Sequence, residues 1–265
     1  MIARRQLALG AVGVCCQKVS EAEAMVAAGV PDVLVSNEIV GEMKVARLAA
    51  LAREAKISVL ADHPDMVSAY SNAAQRFGAT LDVLVELYSG GIRAGVHSAE
   101  AAVDLARLID QAPGLRFAGL QAYRGPAQHI RSFEDRCRAS EEWRESVREA
   151  RDLLQQNGLP CESITGAGTG TYTFEVEGNV FTEIQVGSYA FMDADYGLNL
   201  DAGNRYVSDF ENSLFIISTV MSSNTGAFAV VDAGGQGGKH RSGHADRVEA
   251  TGANLRGRCR RTWRD

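Results

Sequence analysis

Residues 164–193 read ITGAGTGTYTFEVEGNVFTEIQVGSYAFMD, and the rest of the chain is organised around this stretch. Two short strand-like runs end here in small residues, at 165–170 (TGAGTG) and at 185–189 (QVGSY). Glycine lets main-chain N–H groups approach an anion closely, and threonine and serine add hydroxyl donors. Two such turns at the ends of neighbouring parallel strands predict a phosphate-binding cup, which barrel enzymes build from their last strand–helix loops. The pattern is equally compatible with two tight turns that merely require glycine.

Two common phosphate motifs do not fit this stretch. A P-loop carries a lysine directly after its glycines, and none follows here. A dinucleotide-binding fingerprint needs its acidic partner downstream, and that arrangement is not found either. The rest of the chain must therefore indicate which molecule the phosphate belongs to.

Length and composition narrow the class of protein. A chain of 265 residues can form one α/β barrel, or a domain plus a fragment. A hydrophobic content of 46% and a net charge of −6 argue against nucleic acid or a membrane surface as the main partner. The sequence has no apolar run that could span a bilayer and no apolar signal-peptide core near Met1. Five cysteines without a CxxC pair give no disulfide or zinc framework, so we expect a cytoplasmic location.

Residues 1–200 alternate apolar runs with longer amphipathic segments. Before the opening stretch come the strand-like runs VGVCCQ, DVLVSN, ISVLADH, LDVLVELYSGG and RFAGLQAYRG. These runs are nearly continuous in apolar residues, which is typical of parallel strands covered on both faces. Repeated strand–helix units predict either a (β/α)8 barrel or a doubly wound sheet.

The number of strands favours an incomplete barrel. About seven strands are recognisable, one fewer than a closed barrel needs, and the first residues (MIARRQLALGA) resemble the last turns of a helix. The simplest explanation is that the first strand–helix unit is missing. We therefore predict an α/β fold, a (β/α)8 barrel of the TIM type that lacks its first βα unit, over residues 1–200.

The sequence changes character after residue 200. FENSLFIISTVMS and GAFAVVDAG are typical of antiparallel strands, so residues 201–234 are predicted to begin a β-rich C-terminal domain. Residues 235–265 are rich in Arg and Gly and have neither helical nor strand periodicity. A basic nucleic-acid arm is one interpretation of this tail, and we favour a disordered or out-of-frame end. The same nucleotides in another frame can encode a segment with the apolar clusters of a β domain, which the gene sequence would test.

Polar side chains follow the predicted strands closely. Because active sites of barrels lie at the carboxyl ends of the strands, these side chains are candidates for one site. They are Gln17, Asn37, Arg93, Tyr123, His129, Thr165 and Gln185.

Several long segments together resemble one known family. They are GAVGVCCQKVSEAEAM, DVLVSNEIVG, LRFAGLQAYRGPAQHIR, GLPCESITGAGTGTY and FTEIQVGSYAFMDADY. Over roughly residues 2–234 the chain is similar to the fold-type III pyridoxal-phosphate enzymes of the D-threonine aldolase and 3-hydroxy-D-aspartate aldolase group, relatives of alanine racemase. The resemblance implies a barrel that holds the cofactor at its carboxyl-end mouth, with a β domain closing the site.

The resemblance also assigns cofactor contacts. Gln185 matches the position that faces the pyridine nitrogen, and Arg93 matches the arginine near the phenolic oxygen of pyridoxal phosphate. A neutral amide would leave the ring a weaker electron sink than in racemases, which favours carbon–carbon cleavage over racemisation. Considered without the family, Arg93 would be a surface residue. The implied phosphate contacts are Thr165, Gly168, Thr169, Gly187, Ser188 and Tyr189.

Two residues in one loop are the implied catalytic pair. Tyr123 and His129 match residues that the family places over the cofactor, with the histidine removing the β-hydroxyl proton. The implied reaction cleaves a D-3-hydroxy amino acid (D-threonine or 3-hydroxy-D-aspartate) to glycine and an aldehyde. A D-serine or 3-hydroxyaspartate dehydratase of the same fold, and a non-catalytic cofactor-binding fragment, are the alternatives. The family also suggests a homodimer.

The cofactor-anchoring lysine and the metal ligands of the family have no match in this sequence. The lysine that anchors the cofactor lies in a Pro-His-x-Lys-x-His-Lys motif that would precede Met1, and the ligands of a divalent metal would follow Asp265. Lys18 follows a strand, but we interpret it as a surface lysine. The spacing of His244 and Asp246 imitates a metal pair, which we interpret as chance. We therefore expect little or no activity from the chain as printed.

Overall fold

The computed structural model describes residues 1–215, 217, 219–222 and 230–232, so the predicted tail 235–265 lies outside the described residues. Its strands are β1 (Val14–Cys16), β2 (Asp32–Val35), β3 (Lys56–Ala61), β4 (Leu81–Glu86), β5 (Leu115–Ala122), β6 (Ser163–Gly166), β7 (Glu183–Ile184), β8 (Val220–Ser222) and β9 (Val230–Val231). Its helices are α1 (Ile2–Ala8), α2 (Val19–Ala27), α3 (Glu42–Leu51), α4 (Pro64–Phe77), α5 (Ala99–Gln111), α6 (Phe133–Gln156) and α7 (Tyr172–Glu177).

The first seven strands form one parallel sheet in the order β1 to β7. Each strand pairs in parallel with the next along the chain. A doubly wound sheet would reverse its strand order at a switch point, so the sequential order excludes that alternative. The barrel-type α/β fold predicted from the sequence is confirmed, as a parallel half-barrel in which β1 and β7 are the edges of the described sheet.

The helices begin and end at residues suited to those positions. In α4 the Nδ1 atom of His63 accepts the N–H of Asp65, and Pro64 occupies the first turn, where its missing N–H costs nothing. Gly78 ends the helix with a φ of 61°, a left-handed conformation that glycine adopts readily. Ser98 caps α5 and Ser132 caps α6 through their side chains.

The two faces of the sheet carry different cores. One face packs against the helices through a large apolar cluster that includes Val33, Val59, Val83 and Leu120. The other face carries the small separate cluster Leu34, Leu60, Leu84 and Ala118. This alternation follows from the two-residue period of a strand.

A register shift changes the alternation in β5. Val83 pairs with Phe117, but Leu84 pairs with Gly119, so one extra residue of β5 is accommodated between them. Gly119 has a φ of 138°, and a Cβ there would collide with the backbone of Ser163. Bulges of this kind re-aim the side chains that follow them, and Gln121 thereby pairs with Glu86 on β4.

The amino-terminal end of the sheet is held together by charged pairs. Lys56 donates to Asp32 over 2.7 Å, and Nε of Arg116 donates to Asp82 over 2.8 Å. Arg116 also reaches Glu162, with its NH1 group 2.7 Å from Oε2. These pairs lie at the end opposite to the predicted site and therefore have a structural role.

The described chain divides into two compact units, Met1–Gly187 with Asn199–Tyr206, and Ser188–Leu198 with the described residues from Val207 onward. In the second unit β8 and β9 pair antiparallel, the strand type expected for residues 201–234. Among the described residues of the segment predicted as a strand at 210–222, Val220–Ser222 forms a strand, while residues 211–215 have no regular structure. The predicted domain limits at 200 and 234 stay predictions. Among the described helices, none is both long and apolar enough to cross a membrane.

Candidate functional site

A row of polar side chains crosses the carboxyl end of the sheet. Glu86, Gln121 and Thr165 are register neighbours on β4, β5 and β6, so they share one face. Glu86 lies two residues beyond Leu84, which places this face on the side of the small cluster rather than the helix-facing core. All three residues are buried. Gln121 and Glu86 were not predicted as site residues. The sequence feature that could have identified them is a polar residue at the end of an otherwise apolar run, as in LDVLVE and RFAGLQA.

Gln185 joins this row through its amide. Its Nε2 atom donates to Gln121 Oε1 over 2.6 Å and to Thr165 Oγ1 over 2.9 Å. Gln121 Nε2 donates back to Gln185 Oε1 over 3.2 Å. The pair holds a neutral amide in one orientation between β5, β6 and the residue after β7. The structure thus brings together Thr165 and Gln185, two of the residues predicted from sequence.

The glycine turn after β6 packs tightly against the loop after β5. A Cβ on Gly166 would lie 2.6 Å from the carbonyl oxygen of Ala122. A Cβ on Gly168 would lie 2.6 Å from Gln128 Cδ and 3.1 Å from Tyr123 Cε2. A side chain at 166 would therefore collide with backbone, and one at 168 would displace Gln128, whatever the ligand, which agrees with the alternative of a turn that merely requires glycine. Predicted Thr169 is buried in the same turn.

The second glycine turn has a different environment. A Cβ on Gly187 would meet no atom within 4 Å, so its lack of a side chain is not explained by protein packing. The turn is tied to the first one because the N–H of Gln185 donates to the carbonyl of Gly166 over 2.6 Å. Space beside Gly187 is compatible with the close approach of an anion.

Ser188 and Tyr189 belong to the second compact unit. They begin a short 3-10 turn, Ser188–Ala190, and the ring of Tyr189 packs 5.4 Å from that of Phe210, measured between centroids. Their predicted contacts with a phosphate stay predictions.

Arg93 is held by two residues at the mouth. Its NH2 group lies 3.3 Å from Oε1 of Glu86, and its guanidinium carbon lies 5.4 Å from the ring centroid of Tyr123. The side chain of Arg93 is 34% exposed, so it is only partly covered by these two residues. The structure therefore brings Arg93 and Tyr123 together, as expected for two groups of one site.

Glu86 lies in an environment that favours its neutral form. Burial, together with nearby Glu38, raises the pKa of Glu86 to about 9, although Arg93 opposes the shift. Glu38 and Asp62 follow β2 and β3, so three carboxyl groups meet at this part of the mouth. A protonated Glu86 at neutral pH reduces the repulsion among them.

His129 ends the 3-10 helix Gly125–His129 in the loop after β5 and is exposed. Its neighbour Gln128 is buried. The loop carries Tyr123 at one end and His129 at the other, so both predicted catalytic residues extend from the same strand end. The role of each stays a prediction.

Gln17 and Asn37 meet at the other edge of the mouth. Gln17 Nε2 donates to Ser36 Oγ over 3.0 Å, and Asn37 Nδ2 donates to the carbonyl of Gln17 over 3.4 Å. These contacts tie the ends of β1 and β2 together, and they are separate from the row that contains Gln185.

These features define an α/β-barrel protein with a candidate small-ligand site at the carboxyl end of its sheet. Residues 1–195 match the sequence profile of the family described as alanine racemase, N-terminal domain. The chain therefore belongs to this family, and the resemblance found in the sequence is confirmed.

Two relatives and one solved structure with similar sequences carry aldolase names. D-threonine aldolase from Arthrobacter sp is 48% identical over 233 residues, which cover 88% of this chain and 61% of the relative. 3-Hydroxy-D-aspartate aldolase from Paracoccus denitrificans is 46% identical over 228 residues, which cover 85% of this chain and 59% of the relative. The crystal structure of D-threonine aldolase from Filomicrobium marinum has a TM-score of 0.83 at 47% identity, over 89% of this chain and 62% of that one. The chain thus spans about three fifths of the length of these relatives.

Proposed function

We propose that this chain is the cofactor-binding barrel of a pyridoxal-phosphate-dependent lyase. The lyase would cleave D-3-hydroxy amino acids, such as D-threonine or 3-hydroxy-D-aspartate, to glycine and an aldehyde. The observation that carries the proposal is the neutral pair of Gln121 and Gln185, which lies beside both glycine turns. Membership of the alanine racemase family and the names of the relatives support it.

The residues at the mouth fit the parts of the cofactor. The proposed phosphate contacts come from both glycine turns, and the open space beside Gly187 suits an anion that approaches the backbone. Gln185 would face the ring nitrogen, where a fixed neutral amide supplies no acidic proton. Arg93 would face the phenolic oxygen with its guanidinium. When bound, pyridoxal phosphate supplies the electron sink for breaking the carbon–carbon bond. The full proposed phosphate set is Thr165, Gly168, Thr169, Gly187, Ser188 and Tyr189.

The loop after β5 would supply the proton chemistry. We propose that His129 removes the proton of the substrate's β-hydroxyl, because it lies at the end of a loop that is anchored by its buried neighbour Gln128. Tyr123 lies between Arg93 and the glycine turn and would form a wall of the site. In an active form of the lyase, replacing His129 by Asn should therefore abolish cleavage, and in this chain it should leave the affinity for pyridoxal phosphate unchanged.

The resemblance implies that the lyase requires a divalent metal, and this requirement can be tested. No group of three or more His, Cys, Asp or Glu side chains that could hold a metal ion occurs in the described part of the chain. Addition of Mn²⁺ or of a chelator to a cleavage assay of an active form of the lyase would test the requirement. A cytoplasmic location and a homodimer belong to the same proposal, and cell fractionation and size-exclusion chromatography would test them.

The lysines among the described residues are paired with a carboxylate or exposed to solvent. Lys56 pairs with Asp32 at the opposite end of the sheet, Lys44 is exposed on α3, and Lys18 is exposed before α2. We therefore expect the printed chain to bind the cofactor without a covalent bond and to show little or no turnover.

Absorbance of the purified chain with pyridoxal phosphate, before and after borohydride, tests this proposal. We expect pyridoxal phosphate to bind more tightly than pyridoxal, and we expect no adduct on Lys18. Equal binding of the two compounds would contradict the phosphate cup. An adduct on Lys18 with release of glycine would show that the chain is active, and release of ammonia with a keto acid would indicate a dehydratase.

A further inference from the structure

Gln128 is a buried polar residue that the cofactor contacts do not include. Gln128 is 1% exposed, although it lies in the loop between Tyr123 and His129. Its Oε1 atom accepts the N–H of Gly170 over 3.0 Å. Its Nε2 atom donates to the hydroxyl of Thr171 over 2.8 Å and to the carbonyl of Arg124 over 3.3 Å. Two of these three bonds thus go to the glycine turn after β6 and not to its own loop.

The glycine turn is shaped to receive this amide. A Cβ on Gly168 would lie 2.6 Å from Gln128 Cδ, and a Cβ on Gly170 would lie 2.5 Å from the carbonyl oxygen of Gln128. The turn also depends on Thr171, whose hydroxyl accepts the N–H of Gly168 over 3.5 Å and whose side chain is fully buried. Gln128 and Thr171 together occupy the inside of the turn.

The backbone of Gln128 is fixed from a third segment. Asn199 Nδ2 donates to the carbonyl of Gln128 over 2.9 Å, and Arg131 NH1 donates to Asn199 Oδ1 over 2.8 Å. The side chain is therefore presented to the turn by a loop that has its own support. A glutamine that only satisfied its own loop would make its bonds to residues 124–130.

We propose that Gln128 is a positioning residue that fixes the glycine turn at 166–171 in its anion-binding shape and joins it to the loop that carries Tyr123 and His129. The proposal rests on the proposed function in one respect, since the anion is taken to be the phosphate of pyridoxal phosphate. Without the amide, the N–H of Gly170 and the hydroxyl of Thr171 lose a buried partner, and the turn gains alternative conformations.

Amide hydrogen exchange of the full chain without cofactor is the first test. In Gln128→Ala, we expect the amides of residues 166–171 to exchange about tenfold faster or more, since a buried hydrogen bond contributes on that order to local opening. Gln75→Ala is the matched control, because Gln75 donates to Ser71 on α4, away from the mouth. It should leave exchange in the turn unchanged.

Cofactor binding is the second test. Gln128→Ala should raise the Kd for pyridoxal phosphate about tenfold and change the Kd for pyridoxal less than about twofold, because only the phosphate contacts the turn. Unchanged exchange in the turn, or an equal loss of affinity for both compounds, would overturn the positioning role. If wild type itself does not prefer pyridoxal phosphate, the proposed function fails, and the exchange result still decides whether Gln128 fixes the turn.

A second pair of variants covers the case in which Gln128→Ala does not fold. Thr171→Val removes the hydroxyl that Gln128 contacts, while Thr171→Ser retains it. Faster exchange of the Gly170 amide, whose partner is Gln128 and not Thr171, together with weaker phosphate-dependent binding in the valine variant, and with both restored in the serine variant, would support the proposal. Equal behaviour of the two variants would contradict it.

Discussion

The buried carboxyl group of Glu175 is expected to make the free energy of unfolding depend on pH. Glu175 lies in α7, directly after the glycine turn, and is 2% exposed. Its Oε2 atom is buried and has no hydrogen-bond partner among the described residues. Arg144, which donates to the carbonyl of Phe174, is the nearby positive charge. The perturbation is Glu175→Gln, which removes the charge and keeps the shape.

The structure sets the sign and the size of the effect. Burial raises the pKa of Glu175 from 4.5 to about 7, although Thr171 and Arg144 oppose the shift. The folded state therefore binds more protons than the unfolded state between these two values, and stability falls as the pH rises through this window. One pH unit of pKa difference corresponds to ~1.36 kcal/mol, so ionisation of Glu175 above pH 7 costs on the order of 3 kcal/mol.

Urea unfolding followed by circular dichroism at pH 5, 6, 7 and 8 measures the effect. We expect Glu175→Gln and wild type to be similar at pH 5, and the variant to be more stable by up to about 3 kcal/mol at pH 8. Other titrating groups are common to both proteins and cancel in the difference. Glu177→Gln, which removes an exposed charge from the same helix, is the control and should change stability by less than about 0.5 kcal/mol.

Two outcomes would contradict the expected cost of ionising Glu175. If the difference between Glu175→Gln and wild type does not depend on pH, Glu175 ionises in the folded state without a penalty, and the carboxyl group is better solvated than the structure indicates. If the variant is less stable than wild type at pH 8, the attraction to Arg144 outweighs the cost of burial.

Three further changes test other parts of the molecule. Gly168→Ala places a Cβ 2.6 Å from Gln128 Cδ, so a fluorescence titration should show about tenfold or greater loss of affinity for pyridoxal phosphate. Gly187→Ala meets no atom within 4 Å, so stability in urea should change by less than about 0.5 kcal/mol, and a selective loss of phosphate-dependent binding would report a ligand contact. Arg116→Met leaves the buried carboxyl of Asp82 without its partner, so the free energy of unfolding should fall by about 2 kcal/mol with cofactor affinity unchanged. An unchanged free energy would show that this pair contributes nothing.

The sequence alone predicted the elements of the barrel and the two glycine turns. Apolar runs of strand length and amphipathic helical segments are local patterns, so they can be recognised without knowing their neighbours. Thr165 and Gln185 end or directly follow strands, and Arg93 follows the predicted run LDVLVELYSGG, so all three were predicted to lie at the mouth. The predictions of the cofactor and of the reaction came from the family resemblance and not from the periodicity of the sequence.

The tertiary structure decided which polar residues meet. The bulge at Gly119 shifts the register of β5, and this shift pairs Gln121 with Glu86 and Thr165. Simple alternation along RFAGLQA does not predict it. The bonds from Gln128 to Gly170 and Thr171 join segments 42 and 43 residues apart, so no local pattern encodes them. Local sequence specifies which element forms, whereas strand register and loop packing specify which side chains touch, because those contacts depend on residues that are distant along the chain.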